Sequence, residues 1–383
     1  MHLVDATMFF CDTSGGVKRY LTAKRQWLMR ESGIRHSLLV PGPGKTDDTT
    51  ESLYRIRGVP IPFSDGYRFP MLVSDAAEKL RAMKPDLIEA GDPYTLAWGA
   101  LRAGRELGVP VVGFYHSDLP RLLGARFGRL GERMAETYVA RLYAQFDLVL
   151  APSRAMVTSL HALGISAARH HPLGVDTALF HPYGSRIDLR TRLNLPPDCK
   201  LLVYAGRFAR EKNIPWLFDA LRLLGPMYHL IIVGGEHVSK CPSNVTIFPY
   251  MADSSHLAML LASCDAFVHA GDRETFGLAV LEAMACGIPV VGMASGGVAE
   301  IVPAGCGVLV EQKGGAAIAQ GIDLLFASNP RAMGTLARSH VCRHYAWDRV
   351  FSALIAHYRN LRSTSGLSLP AIDTPLEIAH ARD

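Results

Sequence analysis

Between Cys264 and Glu300 the sequence reads CDAFVHAGDRETFGLAVLEAMACGIPVVGMASGGVAE, and few arrangements accommodate it. CDAFVHA is an apolar run of strand length, GDRETFG is a turn-rich break, LAVLEAMA consists of good helix formers, and IPVVGM is a second apolar, β-branched run. Two such runs joined through a helix predict neighbouring strands of a parallel sheet in a βαβ unit. Parallel sheets bind ligands at the C-terminal ends of their strands, which puts GDRETFG and the start of the helix at a crevice. The first N–H groups of that helix, near Phe276, Gly277 and Leu278, lack partners within it and carry the positive end of its dipole. Such a setting suits a phosphate.

The same alternation runs through the chain. HLVDATMFF, HSLLVPG, PDLIEAG, VPVVGFYHS and FDLVLAPS are strand-like and are separated by amphipathic stretches such as VKRYLTAKRQWLMRE and TLAWGALRAGRELG. After HHPLGVDTALFHP, rich in Pro and Gly, a new series begins with LLVYAG and continues through HLIIVGG, NVTIFPY and IPVVGM. A chain of 383 residues, 49% of them hydrophobic, is long enough for two domains with separate cores. The expected division is a doubly wound α/β domain over 1–173, a second over 174–345, a terminal helix over 346–363 and a loosely patterned tail over 364–383.

Glu274 and Glu282 bracket the helix start. In a continuous helix, eight positions separate two residues by roughly 12 Å, so the two glutamates do not share a proton. A glycosidase places its carboxyls within about 5 to 9.5 Å across one sugar ring. Two carboxylates that each hold hydroxyl groups fit this spacing better, and two solvated helix-face glutamates are the plain alternative. The frame ETFGLAVLEAMACGIPVV, with Glu, seven residues and Glu, resembles the retaining nucleotide-sugar glycosyltransferases of GT-B fold, group 1 or family 4, mannosyltransferase-like. PLGVDTALFHP resembles the element through which such enzymes enter their second domain. The resemblance implies two Rossmann-like domains facing a central cleft, with a nucleotide sugar bound mainly by the second. It implies that Glu282 holds the nucleotide ribose and Glu274 the transferred sugar, while the backbone of Thr275, Phe276, Gly277 and Leu278 meets phosphate and sugar.

In LLVYAGRFAREKN, Arg207 and Lys212 follow a strand and precede a helix that Pro215 can begin. Two fixed cations can stabilise the charge on a departing diphosphate without proton transfer. Their spacing resembles the family's diphosphate-binding element; two surface charges are the competing reading. Gly15 and Gly16, in DTSGGVKRYL, lie where a bare backbone can approach a ligand, and the resemblance places Gly16 near donor or acceptor. His116 ends the strand VPVVGF, and its YHSD context implies contact with the donor sugar; a hydrogen-bonding cap is the alternative. His116, Arg207, Lys212 and Glu274 are the catalytic candidates. Asp118 can cap a helix, and Glu89, also at a strand end, either meets the acceptor or shapes the cleft.

Other classes fit poorly. A net charge of +5, scattered along the chain, forms no nucleic-acid stripe. The glycines lack the full dinucleotide fingerprint. No Asp-x-Asp pair or zinc spacing occurs, so neither a metal nor another cofactor is expected. Seven cysteines without a C-x-x-C pair indicate reduced thiols and a cytoplasmic protein. The start MHLVDATMFF has no signal-peptide pattern, and no apolar run spans a bilayer. From Pro120 to Tyr143, arginines alternate with Leu, Phe and Met, which fits either an anionic membrane surface or a solvated basic face over a core-facing stripe. The resemblance implies transfer of a hexose, from GDP-mannose or a UDP-hexose, to a glycan or lipid-linked acceptor of the cell envelope, and with no Asp-x-Asp pair the transfer is expected to be independent of metal. An epimerase or phosphorylase on the same fold, or a noncatalytic sugar-nucleotide-binding subunit, are the rival readings.

Overall fold

The computed structural model describes residues 1–11, 15–31, 33–44, 47–48, 52–62, 64, 66–182, 187–235 and 241–364. The tail expected over 364–383 therefore lies outside the described residues, apart from Thr364. The first sheet contains β1 (His2–Ala6), β2 (Arg35–Gly42), β3 (Asp47–Asp48), β4 (Leu53–Pro60), β5 (Arg68–Pro70), β6 (Leu87–Ala90), β7 (Val111–Phe114), β8 (Leu148–Ala151) and β9 (Ala168–His170). Their order is β3-β4-β2-β1-β6-β7-β8-β9, with β5 paired to β4. The central strands are buried along their length, as β1 and β6 show, because helices cover both faces.

The second sheet contains β10 (Lys200–Ala205), β11 (Tyr228–Val233), β12 (Val245–Phe248), β13 (Ala266–His269), β14 (Val290–Met293) and β15 (Gly307–Val310), in the order β12-β11-β10-β13-β14-β15. Every pairing in it is parallel. In each sheet the chain winds outward in both directions from one central strand, β1 in the first and β10 in the second. The order therefore reverses between β1 and β6, and again between β10 and β13, opening a crevice above the strand ends at each place. Every candidate residue comes from a loop or helix that follows one of these strands or its neighbour.

Strands at or near the sheet margins depart from the sequence reading. The strands β4, β5 and β15 are short or carry Gly and Pro, and their patterns had not marked them. Residues Ala168–His170, expected in the connection, form β9 and pair with β8 in the first sheet. HLVDATMFF ends as a strand at Ala6.

The helix Trp347–Thr364 returns to the first domain. Trp347 stacks on Phe351 at 4.8 Å between centroids, and Phe351 lies 5.8 Å from Tyr20 and 5.9 Å from Trp27. Beneath it Lys24, wholly buried, donates to Asp5 at 2.9 Å, Glu89 at 3.0 Å and the Tyr358 hydroxyl at 3.1 Å. Tyr358 in turn donates to Glu89. Glu89 is thus committed to a buried ion cluster that joins the terminal helix to the sheet. The crossing is tight at Gly174, where an added Cβ would come within 2.6 Å of the Trp347 ring.

Candidate active site

The loop after β10 is built from the backbone outward. Tyr204 donates its hydroxyl to the Arg207 carbonyl at 3.3 Å, and a short 3-10 turn spans Arg210–Lys212. Asn213 follows with φ near 50°, and Pro215 opens the helix Ile214–Leu224 in its first turn. The Asn213 amide donates to the Ala270 carbonyl and to Asp272, each at 3.1 Å, which ties this loop to the one after β13. Arg207 is exposed, while Lys212 is half-buried and paired with Glu274.

Lys212 forms an ion pair with Glu274, and His269 Nε2 lies 3.2 Å from the same carboxylate oxygen. Burial opposes the charge on Glu274, but Lys212 and His269 together hold its carboxyl well below the usual range. Lys212 and Glu274, expected to serve opposite ends of a diphosphate sugar, are therefore direct partners here. The charge of Lys212 is thus already engaged by Glu274. His269 carried no expected role in the sequence, although it occupies a C-terminal strand end, the same signal that singled out His116.

Ser295–Gly297, expected as a turn, instead opens the helix Gly296–Ile301 and supports the loop. Gly297 donates its N–H to the Glu274 carbonyl at 2.9 Å, and Ser295 donates its hydroxyl to the Asp272 carbonyl at 2.8 Å. An added Cβ on Gly297 would lie 2.4 Å from Phe276 Cα, and one on Gly296, whose φ is 56°, 2.3 Å from the Glu274 carbonyl oxygen. Only bare backbone fits there, which is why SGG stands at this point. Gly277, at φ 109°, turns the chain into the helix Leu278–Ala285. The side chain of Phe276 is buried in the core, so its backbone alone is available to a ligand.

The first domain supplies the opposite wall. Gly16 begins the helix Gly16–Glu31, and an added Cβ there would meet Leu278 at 2.8 Å. Thr275 donates its hydroxyl to the His116 carbonyl at 3.4 Å. The His116 ring stacks on Phe114 at 4.0 Å, and its Nδ1 is buried without a partner. Burial, with repulsion from Lys24, pushes its pKa down to about 3, so the imidazole is neutral near pH 7. A neutral ring can exchange hydrogen bonds with a sugar but does not arrive as a charged acid.

Glu282 holds a position that the sequence had not foreseen. Its carboxylate accepts from Arg19, which comes from the first domain's opening helix, and its second oxygen is buried without a partner. Burial raises the Glu282 pKa, and Arg19 offsets this. The signal for Arg19 lay in its spacing, three positions after Gly16, on a helix that begins at the crevice. On the same interdomain seam, Glu300 accepts from the N–H groups of Arg154 and Ala155, both at 2.8 Å, and so caps a helix of the other domain. Among the described residues no cluster of His, Cys, Asp and Glu has the form of a metal site.

Residues 14–179 match the family model Glycosyltransferase Family 4, and residues 185–340 match Glycosyl transferases group 1. A GDP-mannose-dependent alpha-mannosyltransferase of Mycolicibacterium smegmatis is 31% identical over 287 residues, covering 73% of this chain and 74% of its own. The chain belongs to this glycosyltransferase family. A GDP-mannose-dependent alpha-(1-6)-phosphatidylinositol dimannoside mannosyltransferase of Mycobacterium tuberculosis is 30% identical to this glycosyltransferase, over 93% of the chain and 95% of the relative. A sucrose-phosphate synthase from Thermosynechococcus elongatus shares the fold, with a TM-score of 0.78 over 95% of this chain and 100% of that one at 21% identity. The architecture is GT-B, and the glycosyltransferase uses a nucleotide sugar.

Proposed function

We propose that the enzyme transfers mannose from GDP-mannose to a glycan or lipid-linked acceptor of the cell envelope, with retention of anomeric configuration and without a metal ion. Its work is then done on the cytoplasmic side, at a membrane surface. The observation that carries this reading is the junction at Glu274, where an ionised carboxylate, Lys212 and His269 meet shortly before the start of a helix, with Arg207 exposed on the loop that carries Lys212. Arg207 and the N–H groups at the helix start receive the diphosphate, and Lys212 shares its charge between that group and Glu274. Glu274 accepts from hydroxyls of the transferred sugar, and the free oxygen of Glu282 accepts from the ribose. His116 faces the sugar from the other domain as a neutral partner. The two mannosyltransferase relatives, each named for GDP-mannose, support the choice of donor.

The test is release of GDP from GDP-mannose by the full chain, beside parallel reactions with UDP-glucose and UDP-galactose, with and without EDTA. Turnover confined to a UDP-sugar would overturn the donor assignment, and loss of turnover in EDTA the metal-free one. The product's anomeric coupling, read by NMR, decides retention. Arg207→Ala is expected to lower kcat/KM roughly 100- to 1,000-fold, as the loss of an electrostatic stabiliser does. A matching fall in Tm would make Arg207 structural instead.

A further inference from the structure

Of the two groups that meet Glu274, one is held rigidly and the other is not. His269 is the last residue of β13, its strand is paired there with Gly292 of β14, and it is only 3% exposed. Its ring lies 6.2 Å from that of Tyr204, on the neighbouring strand β10. The chain then passes close over the imidazole at Gly271, where an added Cβ would come within 2.8 Å of His269 Cε1. The ring is therefore clamped between a strand and a segment with no room for a side chain. Lys212, by contrast, ends a short 3-10 turn, and its long, flexible side chain is 22% exposed.

Both groups meet the same oxygen. The Lys212 ammonium and His269 Nε2 are each directed at Glu274 Oε2. That oxygen is filled, and Oε1 is the one left for a substrate hydroxyl. The other ring nitrogen of His269, Nδ1, is buried with no hydrogen-bond partner among the described residues. With its proton on Nε2, the ring donates to the carboxylate. With the proton on Nδ1 instead, the Nε2 lone pair would face a carboxylate oxygen and an N–H would be left unsatisfied in the interior. The surroundings select the tautomer whose proton points at Glu274.

We propose that His269 is a positioning residue for sugar transfer, the fixed partner that keeps Glu274 oriented once the donor's diphosphate draws on Lys212. A diphosphate carries more negative charge than one carboxylate, and the flexible stem of Lys212 lets its ammonium turn toward it. Glu274 then loses part of its neutralising partner while still largely buried, where a carboxylate left alone would rotate toward water or take up a proton. The hydrogen bond from His269 opposes both, so Oε1 keeps facing the sugar and no proton has to move. This role rests on the reading of Glu274 as the acceptor of hydroxyls from the transferred sugar. Within that reading Lys212 is the exchangeable partner and His269 the permanent one.

The test compares His269→Gln, which can keep an N–H near the Nε2 position, with His269→Leu, which has comparable bulk and no donor. His269→Leu is expected to lower kcat for GDP release from GDP-mannose roughly 10- to 100-fold, as misplacement of a reacting group does. GDP carries no sugar, so its calorimetric Kd should change by no more than about twofold. His269→Gln should recover most of the lost kcat. GDP affinity that falls in step with kcat, or equal loss of kcat in both variants, would overturn the proposal and make His269 a structural residue. A second measurement does not depend on activity: nitrogen-15 NMR of the histidine-labelled wild-type chain, with the His269 signal identified by its disappearance in either variant. The proton should sit on Nε2 both before and after saturation with GDP. A proton on Nδ1, or an Nε2–H signal lost when GDP is added, would overturn the proposal. If the wild type releases no GDP from GDP-mannose, the donor reading fails, and the NMR result still upholds or overturns the role of His269.

Discussion

Lys212 and Glu274 meet in a partly buried pair, so replacing either changes the charge state available to the other. Glu274 stays ionised to low pH because Lys212 and His269 outweigh the effect of its burial. Its pKa is depressed in the folded state, so its contribution to stability is present above the ordinary glutamate range and is lost as pH falls through the folded value. Removing Lys212 removes the largest of the stabilising charges, and the carboxyl should then titrate at higher pH. Lys212→Ala is therefore expected to move the acid limb of the kcat profile upward by about one unit or more, in addition to lowering kcat. A profile of unchanged shape, merely scaled down, would show that Glu274 does not depend on Lys212 for its charge.

At the level of elements, the loop after β13 and the SGG segment behave as one unit, because each occupies space that a side chain on the other would need. Gly297→Ala must push the backbone of Phe276, where the added Cβ would lie 2.4 Å from Cα. The strain falls on the loop that carries Glu274 and not on the sheet, so kcat/KM for the donor should drop by about tenfold or more while Tm changes by only a few degrees. A collapse of Tm with residual activity intact would place the strain in the core instead. These elements were legible from the sequence because their constraints are local: a buried apolar strand, glycines that tolerate no Cβ, and a helix start. The strands β5 and β9 were not legible, since each has three residues and its pairing is set by its neighbours, and β4 was not because Gly58 and Pro60 interrupt its pattern. The Lys212–Glu274 and Arg19–Glu282 pairs were hidden for a related reason. Three of their four members were singled out and Arg19 lies three positions after Gly16, but which cation meets which carboxylate depends on how two loops and two domains come together.

In the whole molecule, the two domains meet through Gly16 on Leu278, Thr275 on the His116 carbonyl, Glu300 on the helix that begins at Arg154, and Arg19 on Glu282. The last contact bears on binding, because the carboxylate proposed to hold the ribose already has a partner from the opposite domain. Its second oxygen is unpaired but buried, so a ribose reaches it only when this seam parts, and one that takes both oxygens must displace Arg19. Nucleotide binding and separation of this seam are then linked, since a ligand shifts a conformational equilibrium only by its differential affinity for the two states. Arg19→Ala leaves a buried carboxylate without its cation, which should lower the Tm of the free enzyme. The same change spares GDP the work of breaking the ion pair, so calorimetry should show GDP binding several-fold more tightly to the variant, with a larger thermal shift on saturation. Weaker binding of GDP would mean that Arg19 itself contacts the nucleotide, and that the pair with Glu282 is part of the donor site and not a competitor for it.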